Sequence, residues 1–79
     1  MAKVDARYAT PGGGTVTLYD GGALGALVGR GAWYECTGCG PDRYKVTTWS
    51  ERARATVIDY DATDRAAELH GSTCRRIPQ

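Results

Sequence analysis

Short runs of strand-forming residues, some with apolar and polar positions in alternation, dominate the chain from residue 15 to residue 49. In residues 15–19, Val16 and Leu18 fall on one face of a predicted strand, and similar alternation recurs in residues 32–35 and 43–49. β-Branched and aromatic residues fill these runs, which favours strands over helices. The pattern predicts a β-meander of three or four strands.

Glycine-rich segments separate the predicted strands. Asp20-Gly21-Gly22 is typical of a hairpin turn. Residues 23–29 are predicted to return from that turn as the next strand, with a short helical turn as the alternative, because a helix with so much glycine is costly. Residues 11–14, one proline followed by three glycines, are expected to interrupt regular secondary structure. We therefore expect residues 1–13 to be a flexible N-terminal segment, from which Tyr8 can still pack onto the body.

The C-terminal third has the composition of a helix. Asp61, followed three residues later by Asp64, resembles an N-cap with its acidic partner. A helix is predicted from about residue 62 to about residue 75, before Pro78. The pattern as a whole predicts an α+β fold, a small β-meander packed on a C-terminal helix. Its predicted core residues are Val16, Leu18, Leu24, Leu27, Trp33, Val46, Val57 and Leu69.

Residues 51–60 can be read in two ways. Ser50 can cap a helix that begins at Glu51 and continues into the C-terminal helix. Thr56-Val57-Ile58, in contrast, prefers a strand. Both alternatives stay open at the level of sequence.

Three cysteines and the single histidine form one pattern of four metal ligands. Two residues separate Cys36 from Cys39 in a predicted tight turn, and three separate His70 from Cys74 on one face of a predicted helix. Sulfur and imidazole at these spacings suit tetrahedral Zn²⁺. A thiol redox pair and three unrelated buried cysteines are the alternatives. The sequence predicts that residues 14–79 form one zinc-binding domain, in which the zinc site joins the end of a strand to the helix.

Composition agrees with a metal-dependent small domain. A chain of 79 residues with 11 glycines and no phenylalanine buries little apolar surface. An odd number of cysteines fits a metal site better than a secreted disulfide framework. No apolar stretch is long enough to span a bilayer, and the N-terminus lacks the apolar core of a signal peptide. We expect a cytoplasmic protein without membrane contacts.

Catalysis and a small-molecule substrate are not expected. A catalytic zinc usually keeps one coordination position open, whereas protein side chains fill all four here. Once His70 is a ligand, no histidine remains for acid–base chemistry. The glycine run at residues 12–14 lacks the lysine of a phosphate-binding loop. The pattern predicts a binding function.

Basic residues with interleaved aromatics favour DNA or RNA as the partner, although the net charge is only +1. These cations are expected to converge on one face. Another protein, or a second copy of this chain, is the alternative partner, bound at an unpaired strand edge or an exposed apolar patch. The candidate nucleic-acid-binding residues are Arg43, Lys45, Arg52, Arg54 and Arg65.

From Trp33 onward the chain resembles small zinc-finger-like proteins of actinobacteria, their phages and integrating elements. The resemblance rests on Trp33-Tyr34-x-Cys36-Thr37-Gly38-Cys39-Gly40 and on Ala67-x-x-His70-Gly71-x-x-Cys74-Arg75-x-x-Pro78. It implies a CxxC…HxxxC zinc module and a mobile-element context. Gly71 stands where such proteins more usually have Ala, so a bend in the helix is expected there. The stretch between the ligand pairs is also longer and has room for an extra strand.

Overall fold

The computed structural model describes residues 3–25 and 29–78, which form a four-stranded antiparallel sheet, a separate hairpin and a C-terminal helix. The sheet has the strand order β1-β2-β3-β4, and β5 pairs with β6. The predicted α+β fold, a small β-meander packed on a C-terminal helix, is confirmed. The elements are β1 (Lys3–Ala9), β2 (Thr15–Gly25), β3 (Gly29–Cys36), β4 (Gly40–Tyr44), β5 (Thr47–Ser50), β6 (Ala55–Ile58) and α1 (Tyr60–Thr73).

The core lies between the sheet and α1. Val16 and Leu18, on the inner face of β2, are fully buried as predicted, and Cys36, Ala67 and Cys74 complete the same cluster. Burying one Val or Leu side chain stabilises a fold by about 1.5–3 kcal/mol. Because two of the five members of this cluster are predicted metal ligands, the core and the metal site are one structure.

The inward face of α1 differs from the predicted one. Thr63, Ala67 and Gly71 are buried at four-residue spacing and define the face that meets the sheet. Leu69 lies two residues beyond Ala67 and is 64% exposed, so its prediction as a core residue is wrong.

The other core predictions have mixed outcomes. Trp33, Val46 and Val57 are half-buried and are not members of the core cluster. The side chain of Leu24 and the whole of Leu27 lie outside the described residues.

The N-terminal segment contributes a strand where a flexible segment was predicted. β1 pairs with β2 from Lys3 opposite Asp20 to Ala9 opposite Thr15. Tyr8 lies opposite Val16, is half-buried against the core, and donates its hydroxyl proton to Asp64 Oδ1 at 3.2 Å. Only one side of β1 meets the core, which explains why its sequence lacks a strong apolar run.

The predicted hairpin turn at residues 20–22 is a bulge inside β2. The amide of Gly22 donates to Asp20 Oδ1 at 2.8 Å, Gly22 has φ +80°, and the β2–β3 register shifts between these two residues. Such a local bond satisfies the backbone without reversing the chain. β2 therefore continues to Gly25, which pairs with Gly29 of the returning strand.

The predicted strand at residues 43–49 is divided into β4 and β5 by Lys45 and Val46. The amide of Val46 donates to Thr63 Oγ1 at 3.0 Å, and its carbonyl accepts the amide of Asp59 at 2.8 Å. These bonds replace sheet pairing and hold the start of α1. They also make Asp59, whose side chain accepts the amide of Ala62, the N-cap in place of the predicted Asp61.

Residues 51–60 contain a turn and β6, so the alternative of a continuous helix is wrong. Ser50 Oγ accepts the amide of Ala53, but this capping contact is followed by Arg54 at φ +51°, which reverses the chain. A left-handed conformation costs a non-glycine residue about 1–2 kcal/mol. The β-branched residues of β6 then pair with β5. The longer stretch between the ligand pairs therefore holds an added hairpin.

Gly71 is required by the approach of β1 to α1. An ideal Cβ at this position would lie 2.5 Å from the Cβ of Tyr8. α1 continues past Gly71 to Thr73, so the residue serves close packing where the sequence suggested a bend.

We predict that Gly71→Ala destabilises the metal-loaded protein by about 1–3 kcal/mol through overpacking. Alanine favours a helix over glycine by about 1 kcal/mol, so intrinsic propensity predicts the opposite sign. Urea denaturation measures the difference. Ser72→Ala, at an exposed neighbouring position, is the matched control and should change stability by less than about 0.5 kcal/mol. A stabilised Gly71→Ala variant would contradict the packing account.

Candidate metal centre

The first two ligands lie at the ends of the β3–β4 turn. Cys36 is the last residue of β3, Cys39 precedes β4, and the amide of Cys39 donates to the carbonyl of Cys36. Thr37 anchors this turn to the start of β2, because Thr15 and Thr37 exchange two hydrogen bonds of 2.9 and 3.1 Å. Gly40 closes the turn at φ +102°, a conformation that favours glycine. The tight turn predicted between Cys36 and Cys39 is therefore present at the end of a strand, and residues 36–40 are called the knuckle below.

The other two ligands lie at the C-terminal end of α1. His70 is in the last turn, and Cys74 is the C-cap, with its amide donating to the His70 carbonyl at 2.9 Å. This i to i+4 relation puts both side chains on the same side of the helix end. α1 packs on β2 and β3, so the helix end faces the knuckle.

The four ligand atoms meet in a space suited to a single metal ion. Sγ of Cys74 lies 3.7 Å from Sγ of Cys36 and 3.7 Å from Sγ of Cys39, and Cys39 Sγ lies 3.3 Å from His70 Nε2. All four atoms are within 4.8 Å of one another. Zn–S bonds of 2.3 Å in a tetrahedron require sulfur atoms about 3.8 Å apart. The geometry is therefore compatible with a bound metal ion.

The chain after the last ligand crosses the knuckle closely. The amide of Gly12 donates to the Cys74 carbonyl at 3.2 Å. A Cβ at Gly12 would collide with the backbone of Arg75 and Arg76, and one at Gly38 would lie 2.6 Å from the Arg76 carbonyl oxygen. Residues 75–78, which we call the strap, are thus held between two glycine-containing turns and complete the wall of the site.

The three thiols influence one another's ionisation. Burial, with hydrogen bonds and charge from the Cys74 and Cys36 thiols, raises the pKa of Cys39 to about 11. A hydrogen bond from the Arg76 backbone, with a smaller contribution from the Arg76 charge, lowers the pKa of Cys74. The positive charge of Arg76 therefore favours the thiolate form of Cys74. Three adjacent thiols ionise together only when a cation balances their charge.

Two tyrosines that the sequence interpretation did not assign to the site flank the ligand His70. Tyr34 and Tyr44 lie opposite each other on β3 and β4, with ring centroids 5.4 Å apart. Their centroids lie 5.7 and 6.4 Å from that of the His70 ring. Burial, followed by the neighbouring Tyr44, raises the pKa of Tyr34. Strand alternation, which puts Tyr34 and Cys36 on one face, was the available sequence clue.

The five candidate nucleic-acid-binding residues do not share one face. The guanidinium carbon of Arg43 lies 5.0 Å from the centroid of the Trp33 ring. Trp33 and its cross-strand partner Tyr19 alternate with the core residues of their strands. Arg43, Trp33 and Tyr19 therefore lie on the face of the sheet away from α1. Arg65 is exposed on α1. The expectation of a single convergent face is therefore wrong. Lys45 lies between β4 and β5, and Arg52 and Arg54 lie in the β5–β6 turn.

Comparison with known proteins does not assign the chain to a family. No family model, no curated protein and no solved structure matches the chain. Among the described residues, no helix has the length and apolar character needed to cross a membrane.

We predict that metal affinity falls steeply as the pH is lowered, because binding displaces protons from thiols such as Cys39. Each displaced proton weakens metal binding about tenfold for every unit by which the pH is lowered. Competition with a chelator of known pH dependence should therefore show a fall of up to about 1,000-fold between about pH 8 and pH 7 for three thiols. In the control Cys39→His, one fewer proton is displaced, so the loss of affinity over the same pH unit is about tenfold smaller. Affinity that does not change with pH would contradict thiolate ligation.

Proposed function

We propose that this protein is a non-catalytic structural zinc module that binds nucleic acid. Zinc is the metal best suited to three thiolates and one imidazole at tetrahedral spacing. All four positions are supplied by the chain, and the described ligands are buried or half-buried. Such a closed site contributes folding free energy, about 10–16 kcal/mol in zinc-finger peptides. That amount is as large as the whole free energy of unfolding of a typical domain, about 5–15 kcal/mol.

The observation that favours nucleic acid is a set of exposed cations without acidic partners. Nothing in the described part of the chain forms an ion pair with any of the five candidates, and all five are exposed. Unpaired Arg and Lys side chains bind phosphates and release counterions. Because these cations lie on several surfaces of the protein, the nucleic-acid strand would wrap around the molecule and would not dock on a single flat interface. The five exposed cations are Arg43, Lys45, Arg52, Arg54 and Arg65.

We predict that short DNA and RNA strands bind the metal-loaded protein with a strong salt dependence. Contacts with three to five phosphates give a slope of log affinity against log salt of about −2 to −4.5. Fluorescence anisotropy with labelled single strands and duplexes measures this slope. The matched control is the variant with all five candidate cations replaced by Gln, which should bind more weakly and with a shallower slope. Absence of binding to every strand at low salt would refute the nucleic-acid proposal.

A further inference from the structure

The β5–β6 hairpin carries an aromatic side chain that the fold does not bury. Trp49 is 58% exposed. Its indole Nε1 donates to Glu51 Oε1 at 3.0 Å, a contact that fixes the ring without covering its face. Tryptophan is enriched at binding interfaces because it combines a large apolar face with a polar N–H group.

Hydroxyl groups surround this ring on the same face of the hairpin. Thr47 lies two residues before Trp49 on β5, and Thr56 lies directly opposite Trp49 on β6. Both threonines are exposed. The surface formed by Trp49, Thr47 and Thr56, together with Arg52 and Arg54 of the adjoining turn, is called the hairpin platform below.

The turn that joins β5 to β6 carries two positive charges. Arg52 and Arg54 are both exposed, and no described residue forms an ion pair with either. Arg54 occupies the left-handed conformation at φ +51° that glycine would adopt without strain. The turn therefore keeps a cation where stability alone favours glycine. Glu51 is the one acidic residue of the turn, and its carboxylate already accepts the indole proton.

On the basis of the nucleic-acid binding proposed above, we propose that the hairpin platform binds single-stranded nucleic acid. A base stacks on Trp49, the threonine hydroxyls meet base or sugar edges, and Arg52 and Arg54 bind the adjoining phosphates. Aromatic rings and arginine side chains are the usual combination for unpaired strands.

Two features favour a single strand over other partners. Stacking on the face of an indole requires a base whose own face is free, which a duplex does not offer. Protein interfaces usually surround a central aromatic residue with apolar neighbours and few charges. The exposed neighbours of Trp49 on its face of the hairpin are Thr47 and Thr56, and the one apolar neighbour there, Ile58, is half-buried.

The test measures binding of labelled oligo-dT and oligo-U single strands, and of a duplex, to the metal-loaded full chain. Trp49→Ala should weaken single-strand binding about 5- to 150-fold, the loss expected for one stacked base. Trp49→Tyr keeps an aromatic face and should retain most of the affinity. In the wild-type chain, tryptophan fluorescence should be quenched on binding, and this quenching should be greatly reduced in Trp49→Tyr.

The arginines are tested with variants that suit the turn. Arg54→Gly removes the cation and relieves the positive-φ strain, so weaker binding cannot come from a damaged hairpin. Combined with Arg52→Gln, it should make the slope of log affinity against log salt shallower by about 1.4, the contribution of two phosphates of a single strand. Arg65→Gln, on the exposed side of α1, is the matched single-charge control and should change the slope by about 0.7 or less.

The outcomes separate this inference from the proposed function. If single strands bind but Trp49→Ala and the double arginine variant bind as tightly as wild type, the hairpin platform is refuted and nucleic-acid binding stands. Tighter binding to the duplex than to either single strand also refutes the platform. If no strand binds, both proposals fail. Self-association of the wild-type chain that Trp49→Ala abolishes would assign the platform to a protein contact and overturn the inference.

Discussion

Four side chains from two distant parts of the chain meet within 4.8 Å, and the remainder of the molecule is organised around that meeting. Cys36 and Cys74 belong at once to the ligand set and to the small core beneath α1. Close packing of three thiols is unfavourable when they ionise without a cation, and favourable when a metal ion lies between them. A single ion would therefore hold together the knuckle, the helix end and the strap.

Close contacts around the ligand cluster connect it to the sheet and to the helix. Gly12 and Gly38 leave room for the strap, and Gly71 leaves room for Tyr8 of β1. At the other end of α1, the buried hydroxyl of Thr63 accepts the amide of Val46 and donates to the carbonyl of Asp59. Polar contacts thus hold the first turn of the helix, and its other end carries two of the four candidate metal ligands. A bound ion would hold that end and compensate for a core with few large apolar side chains.

The sequence was sufficient where local spacing determines geometry. The CxxC knuckle and the His70–Cys74 pair follow from turn and helix periodicity, and the inward residues of β2 follow from alternation. It was insufficient where distant contacts decide. The start of α1 depends on Val46, the packing of β1 depends on Gly71, and the chain reversal at Arg54 overrides the capping preference of Ser50. No local pattern contains those contacts.

The central claim, that one zinc ion per chain closes this cluster and maintains the fold, is tested most directly by titrating Zn²⁺ into the chelated protein. Native mass spectrometry counts the bound ions, and amide NMR dispersion reports the fold in the same samples. The account predicts a sharp end point at one zinc per chain, with the dispersed spectrum appearing in proportion to bound metal. A chelated chain that is already folded, with unchanged stability when zinc is added, would contradict it.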